Sequence, residues 1–208
     1  MTKTMTLPNK ITLTRAFLAI VMFFMMVTQN PIAVIIASFI YGFAACTDWV
    51  DGRIARATNT YTPFGAIVDP FVDKILVGAA FFAFTDLHFL HVPVWAVFLI
   101  ILRELMVSTL RVLAALNNKV LAAERWGKFK TTVQLIAIGL IFVIADIHFC
   151  LPLTKGALRE ILTFVDCMLS VLPYPTTVIA AAITCLSAIT YLRNNWKLLK
   201  ESWSLPTK

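Results

Sequence analysis

DWVDGRIARATNTYTPFGAIVDPFVD, residues 48 to 73, joins two strongly apolar segments and sets Asp48, Asp51, Asp69, Asp73, Arg53 and Arg56 at their junction. A carboxylate held at membrane depth costs about 2.5 to 3.5 kcal/mol on insertion scales, so a cluster of four persists where something compensates it. A bound cation is the obvious compensation, which makes this stretch the default active site. If the preceding helix continues past Asp48, then Asp48, Asp51, Gly52, Ala55 and Arg56 fall within an arc of about 140° on one face. Gly65, Asp69 and Asp73 repeat the device at i, i+4 and i+8 on the next helix. The connection between them is short, so the two helices are expected to be antiparallel neighbours with their carboxylates facing each other. Gly52, Ala55 and Gly65 have almost no side chain and allow close packing or a flat ligand against the backbone.

The surroundings of this stretch define the solvent. The chain has 208 residues, of which 60% are hydrophobic and 14% charged, a composition far from the soluble average. A spanning helix needs about 20 apolar residues. Six stretches approach that length, roughly 11–28, 32–48, 64–84, 94–116, 130–149 and 172–193. The expected fold is therefore an all-α integral membrane protein with six transmembrane helices in a single domain over residues 1–208. The first stretch runs through Thr28-Gln29-Asn30-Pro31 straight into the second and is read as a retained span rather than a cleaved leader.

Lysine and arginine concentrate at the amino end, in the second and fourth connections and at the carboxyl end, whereas the other three connections hold only Lys155 and Arg159. The positive-inside tendency then places both termini and the aspartate cluster on the cytoplasmic side of a multi-pass protein of the cytoplasmic (inner) membrane. His88, His91 and His148 fall on the opposite side and are read as bystanders. The formal charge of +7 is spread through loops, which suits anionic membrane lipids and phosphate-bearing substrates and argues against a nucleic-acid partner. Trp95 and Tyr174 on one side, with Trp49, Trp126, Trp196 and Trp203 on the other, fit interfacial anchors. The segment 150–171 reads as a short interfacial helix. Cys150 and Cys167 share the outer side, where a disulfide between them is open.

Oxygen donors without nearby His or Cys select a hard cation, so magnesium or manganese is expected, with zinc disfavoured. Four carboxylates suit two ions about 3.5 to 4 Å apart, the arrangement that holds the attacking and leaving oxygens of a phosphoryl-type displacement. Arg56 adds a fixed positive charge for a diphosphate. Further along, Arg103 and Arg111 lie about 80° apart around one helix inside an apolar stretch, and Lys128 and Lys130 open the next. Together they can hold the phosphate of an anionic acceptor. The competing reading pairs Arg103 with Glu104 and lets Arg111 extend to the membrane surface.

The pattern D-x2-D-G-x2-A-R-x8-G-x3-D-x3-D, matched at every fixed position from Asp48 to Asp73, resembles the signature of the CDP-alcohol phosphotransferase family. The resemblance implies a six-helix membrane fold, commonly a homodimer, that displaces CMP from a CDP-linked substrate with an incoming alcohol and a divalent metal. It implies Asp48, Asp51 and Asp69 as metal ligands and Asp73 as general base that also touches a metal. Gly52, Ala55, Arg56 and Gly65, together with Asp48, would hold the CDP moiety. Asn9 and Thr12 either contact the nucleotide or cap the first helix. LPNKITLTR near the amino end, ILRELMVSTLR at 101–111 and GKFKTTVQ at 127–134 are similar to those members that act on CDP-diacylglycerol and glycerol 3-phosphate. That implies phosphatidyl transfer with release of CMP, in phospholipid synthesis. Inositol phosphate, serine or phosphatidylglycerol are the alternative acceptors. A cation transporter is the alternative of another class, disfavoured because the four aspartates gather toward one side and no inverted repeat is apparent.

Overall fold

The structure, a computed structural model, describes the backbone of residues 7–58, 63–116, 125–196 and 200, and the side chains of 10–47, 71–72, 74–110, 129–196 and 200. Among these residues the chain is helical almost throughout. Its seven α-helices are α1 (Leu7–Val27), α2 (Pro31–Thr58), α3 (Pro63–Asp86), α4 (Val94–Leu116), α5 (Arg125–Cys150), α6 (Ala157–Leu169) and α7 (Pro173–Asn194). Short 3-10 turns, His88–Leu90 and Leu151–Leu153, lie between α3 and α4 and between α5 and α6.

Helix is the conformation that satisfies every backbone N–H and C=O within one segment. Asn30 caps α2, its Oδ1 accepting from the backbone N–H of Ile32 at 3.0 Å, and Pro31 supplies a first residue that needs no N–H partner. The Gln29 side-chain amide donates to Asp86 Oδ2 at 3.2 Å and so ties the α1–α2 turn to the end of α3. Gly156, at φ +66°, allows the chain to enter α6 through a conformation that a Cβ would strain.

α1 packs against α2 and α3, α7 packs against α4 and α5, and α5 reaches back to α2, which closes the bundle. Its core is apolar and aromatic. Phe84 is fully buried between Phe81 and Phe142, with ring centroids 6.4 and 4.8 Å away, and Tyr41 lies 5.0 Å from Phe142. Phe84→Ala is expected to cost about 3–5 kcal/mol, because the neighbours cannot fully collapse onto the space left behind. A thermal melt in detergent would register this as a lower midpoint. The outer surface is apolar as well, with Phe17, Phe39, Phe43, Phe98 and Ile136 all more than half exposed, the pattern of a protein whose solvent is lipid.

Six spanning helices, expected from the sequence, are not what the structure supports. Among the described residues three stretches are long and apolar enough to cross a membrane: Lys10–Val27, Phe129–Leu153 and Ala157–Asn194. The helices do occupy the expected positions, and among the described residues the apolar stretch of α2 is Pro31–Thr47. In α3 every 18-residue window includes Asp69, Asp73 and Lys74, and in α4 every such window includes Arg103, Glu104 and Arg111. The residues that suggest chemistry are the ones that dilute these helices. The protein is a membrane protein with several apolar helices.

The segment expected as a short interfacial helix does form α6, which buries none of its residues completely. Cys150 and Cys167 are both free. His148, at the end of α5, hydrogen-bonds through Nδ1 to Asp166 Oδ2 at 3.0 Å and stacks on Phe89 with centroids 3.8 Å apart. These contacts join α5, α6 and the turn after α3, a packing role.

Candidate active site

α2 continues unbroken past Asp48 to Thr58, as the one-face reading of Asp48, Asp51, Gly52, Ala55 and Arg56 requires, and α3 carries Gly65, Asp69 and Asp73 on its first three turns. The motif therefore spans the end of one helix and the beginning of the next. The side chains of Asp48, Asp51, Gly52, Ala55, Arg56, Gly65, Asp69 and Asp73 lie outside the described residues, as do those of Asn9, Arg111 and Lys128. Among the described residues no group of three or more His, Cys, Asp or Glu side chains assembles into a metal site. The donor set itself fits a hard divalent cation. It consists of four carboxylates at helical spacings of three and four residues on two consecutive helices, with no sulfur or imidazole among them.

Directly after Asp73 in the sequence, Lys74 belongs to a polar network inside the bundle. Lys74 of α3 hydrogen-bonds to Ser108 Oγ of α4, and Ser108 in turn donates to the backbone carbonyl of Glu104 at 2.6 Å. Glu104 is the hub. Its Oε1 pairs with the ammonium of Lys130 from α5, lies 3.6 Å from Arg103 Nη1, and is 3.4 Å from Gln134 Nε2. Arg103 also donates to Ser187 Oγ of α7 at 2.9 Å, and Gln134 donates to Thr184 Oγ1 at 3.0 Å. Arg103, Lys130, Gln134, Thr184 and Ser187 are all buried. Lys130 also sits within range of the positive charges of Arg103 and Lys74.

Of the residues expected to hold an acceptor phosphate, Arg103 and Lys130 are thus brought together from different helices onto one carboxylate. The competing expectation, pairing of Arg103 with Glu104, is met; its other half concerns Arg111, whose side chain lies outside the described residues. Thr12 is buried on α1, three residues before the equally buried Arg15.

Sequence reading missed Lys74, Ser108, Gln134, Thr184, Ser187 and Arg15. A signal for part of this was present in α7. Thr177, Thr184, Ser187 and Tyr191 recur at seven, three and four residues, a polar stripe on an otherwise apolar helix, and all four are buried. Gln134 stands one turn from Lys130 and shares its face.

The chain is similar to known proteins along most of its length. The family model described as CDP-alcohol phosphatidyltransferase matches residues 5–172. The chain is 34% identical over 210 residues to a CDP-diacylglycerol–glycerol-3-phosphate 3-phosphatidyltransferase of Bacillus subtilis (strain 168), covering 94% of this chain and 98% of the relative. It is 39% identical over 142 residues to the protein so named in Escherichia coli (strain K12), covering 64% of this chain and 74% of the relative. The protein named likewise in Shigella boydii serotype 4 (strain Sb227) matches with the same identity and coverage. The chain belongs to the CDP-alcohol phosphatidyltransferase family. It is an enzyme of that family, a phosphatidyltransferase.

Proposed function

We propose that the protein transfers the phosphatidyl group of CDP-diacylglycerol to glycerol 3-phosphate and releases CMP, a step of phosphatidylglycerol synthesis carried out at the cytoplasmic face of the inner membrane. The observation that carries the acceptor choice is the convergence of buried Arg103 and Lys130, from α4 and α5, on Glu104. Buried cations in an apolar bundle suit an anionic guest, and a phosphate monoester offers more charge than the hydroxyl of serine. The names of the relatives point to the same acceptor.

In this reading Asp48, Asp51, Asp69 and Asp73 would hold magnesium or manganese, as two ions, and Gly52, Ala55, Arg56 and Gly65 would hold the CDP moiety, helped by Asn9 and Thr12. The bound cation supplies charge neutralisation for the pyrophosphate. Asp73 removes the proton from a glycerol hydroxyl. The freed oxygen pair attacks the phosphorus bearing the diacylglycerol, and the bond from that phosphorus to the bridging oxygen breaks, so that CMP leaves with the electron pair. A carboxylate set among other carboxylates gains proton affinity from like charge, which favours one member of the group as base. Arg103, Arg111, Lys128 and Lys130 hold the acceptor phosphate, so the rate gain comes mainly from placement and charge. A homodimer with both termini cytoplasmic completes the proposal.

Competition among acceptors tests it. Purified protein in detergent, given labelled CDP-diacylglycerol and equal concentrations of glycerol 3-phosphate, inositol phosphate, serine and phosphatidylglycerol, should label almost only the glycerol 3-phosphate product. Preference for any other acceptor would refute the assignment and leave the reaction class standing. Arg111→Ala should raise KM for glycerol 3-phosphate by about tenfold or more, the loss of one charge-assisted contact, with a smaller change in KM for CDP-diacylglycerol. Initial rates with each substrate varied in turn would check this.

A further inference from the structure

Glu104 places a negative charge in the pocket proposed to receive a negative ligand. Its carboxylate takes Lys130, Arg103 and Gln134 from two helices, and its backbone carbonyl takes Ser108, the partner of Lys74. The side chain is 16% exposed, so these contacts are shielded and the charge acts at close range. An acceptor pocket selected only for affinity would leave this position neutral.

Two needs explain the carboxylate. Arg103 and Lys130 come from different helices and, together with Lys74, concentrate positive charge in an apolar bundle, where a counterion lets them sit side by side before any ligand arrives. The product of the transfer also carries a phosphate monoester, so whatever grips the acceptor grips the product. A fixed negative charge among the gripping cations weakens both and lets the product go.

We propose that Glu104 is a positioning residue that acts as the pocket's resident anion: it holds Arg103 and Lys130 in place and, by opposing the ligand's charge, sets the affinity for phosphate monoesters and the rate of product release. This rests on the acceptor pocket of the proposed function. A residue that only knits helices together would have no such effect on ligand charge.

The test uses two variants of opposite sign in the full-length protein. Glu104→Gln removes a negative charge and keeps the side chain's shape, whereas Gln134→Glu adds one beside it. Inorganic phosphate is the probe, read both as a competitive inhibitor against glycerol 3-phosphate and through its concentration-dependent shift of the melting midpoint in detergent. Glu104→Gln should bind phosphate at least threefold more tightly, with kcat and KM for glycerol 3-phosphate falling together. Gln134→Glu should bind it at least threefold more weakly, and Glu104→Asp should return toward the native value. Shifts in the same direction, or shifts under threefold, overturn the proposal. Should one variant fail to accumulate folded, the other is read alone against the native protein with the same threshold. If the native protein does not use glycerol 3-phosphate, the proposed function fails, while the melting arm still decides whether Glu104 governs phosphate affinity.

Discussion

Asp73→Asn is expected to lower turnover by about 10²- to 10⁴-fold, the range that a positioned general base contributes, while binding of CDP-diacylglycerol stays close to native. The amide keeps the size of the carboxylate but accepts no proton, so the loss should appear in kcat. Asp73 stands at the end of the motif on α3, one residue before Lys74, which links that helix to Ser108 and through it to the Glu104 network. Through Lys74, the helix that carries the proposed base is thus linked to the helix that carries Arg103 and Glu104. Single-turnover rates together with equilibrium binding of a labelled CDP-lipid would separate the two effects. Full turnover in the variant would remove Asp73 from the base role.

Removal of divalent cations should have a still larger effect. With excess chelator, product formation should fall below detection, and magnesium or manganese should restore it. Four carboxylates on consecutive helices repel one another unless a cation lies among them, and a substrate pyrophosphate would add to that repulsion. Asp48→Asn and Asp69→Asn should each raise the magnesium concentration needed for half-maximal rate. Undiminished product in chelator would leave the motif without the role assigned to it here.

The motif from Asp48 to Asp73 was legible because it breaks an apolar sequence with charge at helical spacing, and helix positions were legible because three of the apolar runs begin at Pro31, Pro63 and Pro173. The number of spanning helices was not. Residue counts along 64–84 and 94–116 gave enough apolar length, but Asp69, Asp73 and Lys74 in one and Arg103, Glu104 and Arg111 in the other interrupt it, a cost that a search for long apolar stretches underweights. The acceptor pocket was half legible. Arginine at 103 and lysine at 130 announce themselves in an apolar context, whereas Gln134, Thr184 and Ser187 are ordinary residues until α7 packs against α4 and α5 and gives each a partner. Glu104 appeared in the sequence as a rival explanation for Arg103, and only the packing of α4 on its neighbours shows that it also serves Lys130 and Gln134.

The most direct measurement is the stoichiometry of the reaction itself. Purified protein in detergent with magnesium, CDP-diacylglycerol and glycerol 3-phosphate labelled in its carbon skeleton should release one CMP for each labelled lipid formed, and the lipid should carry both the phosphodiester and the terminal phosphate. CMP released without label entering the lipid, or no CMP at all, would contradict the account.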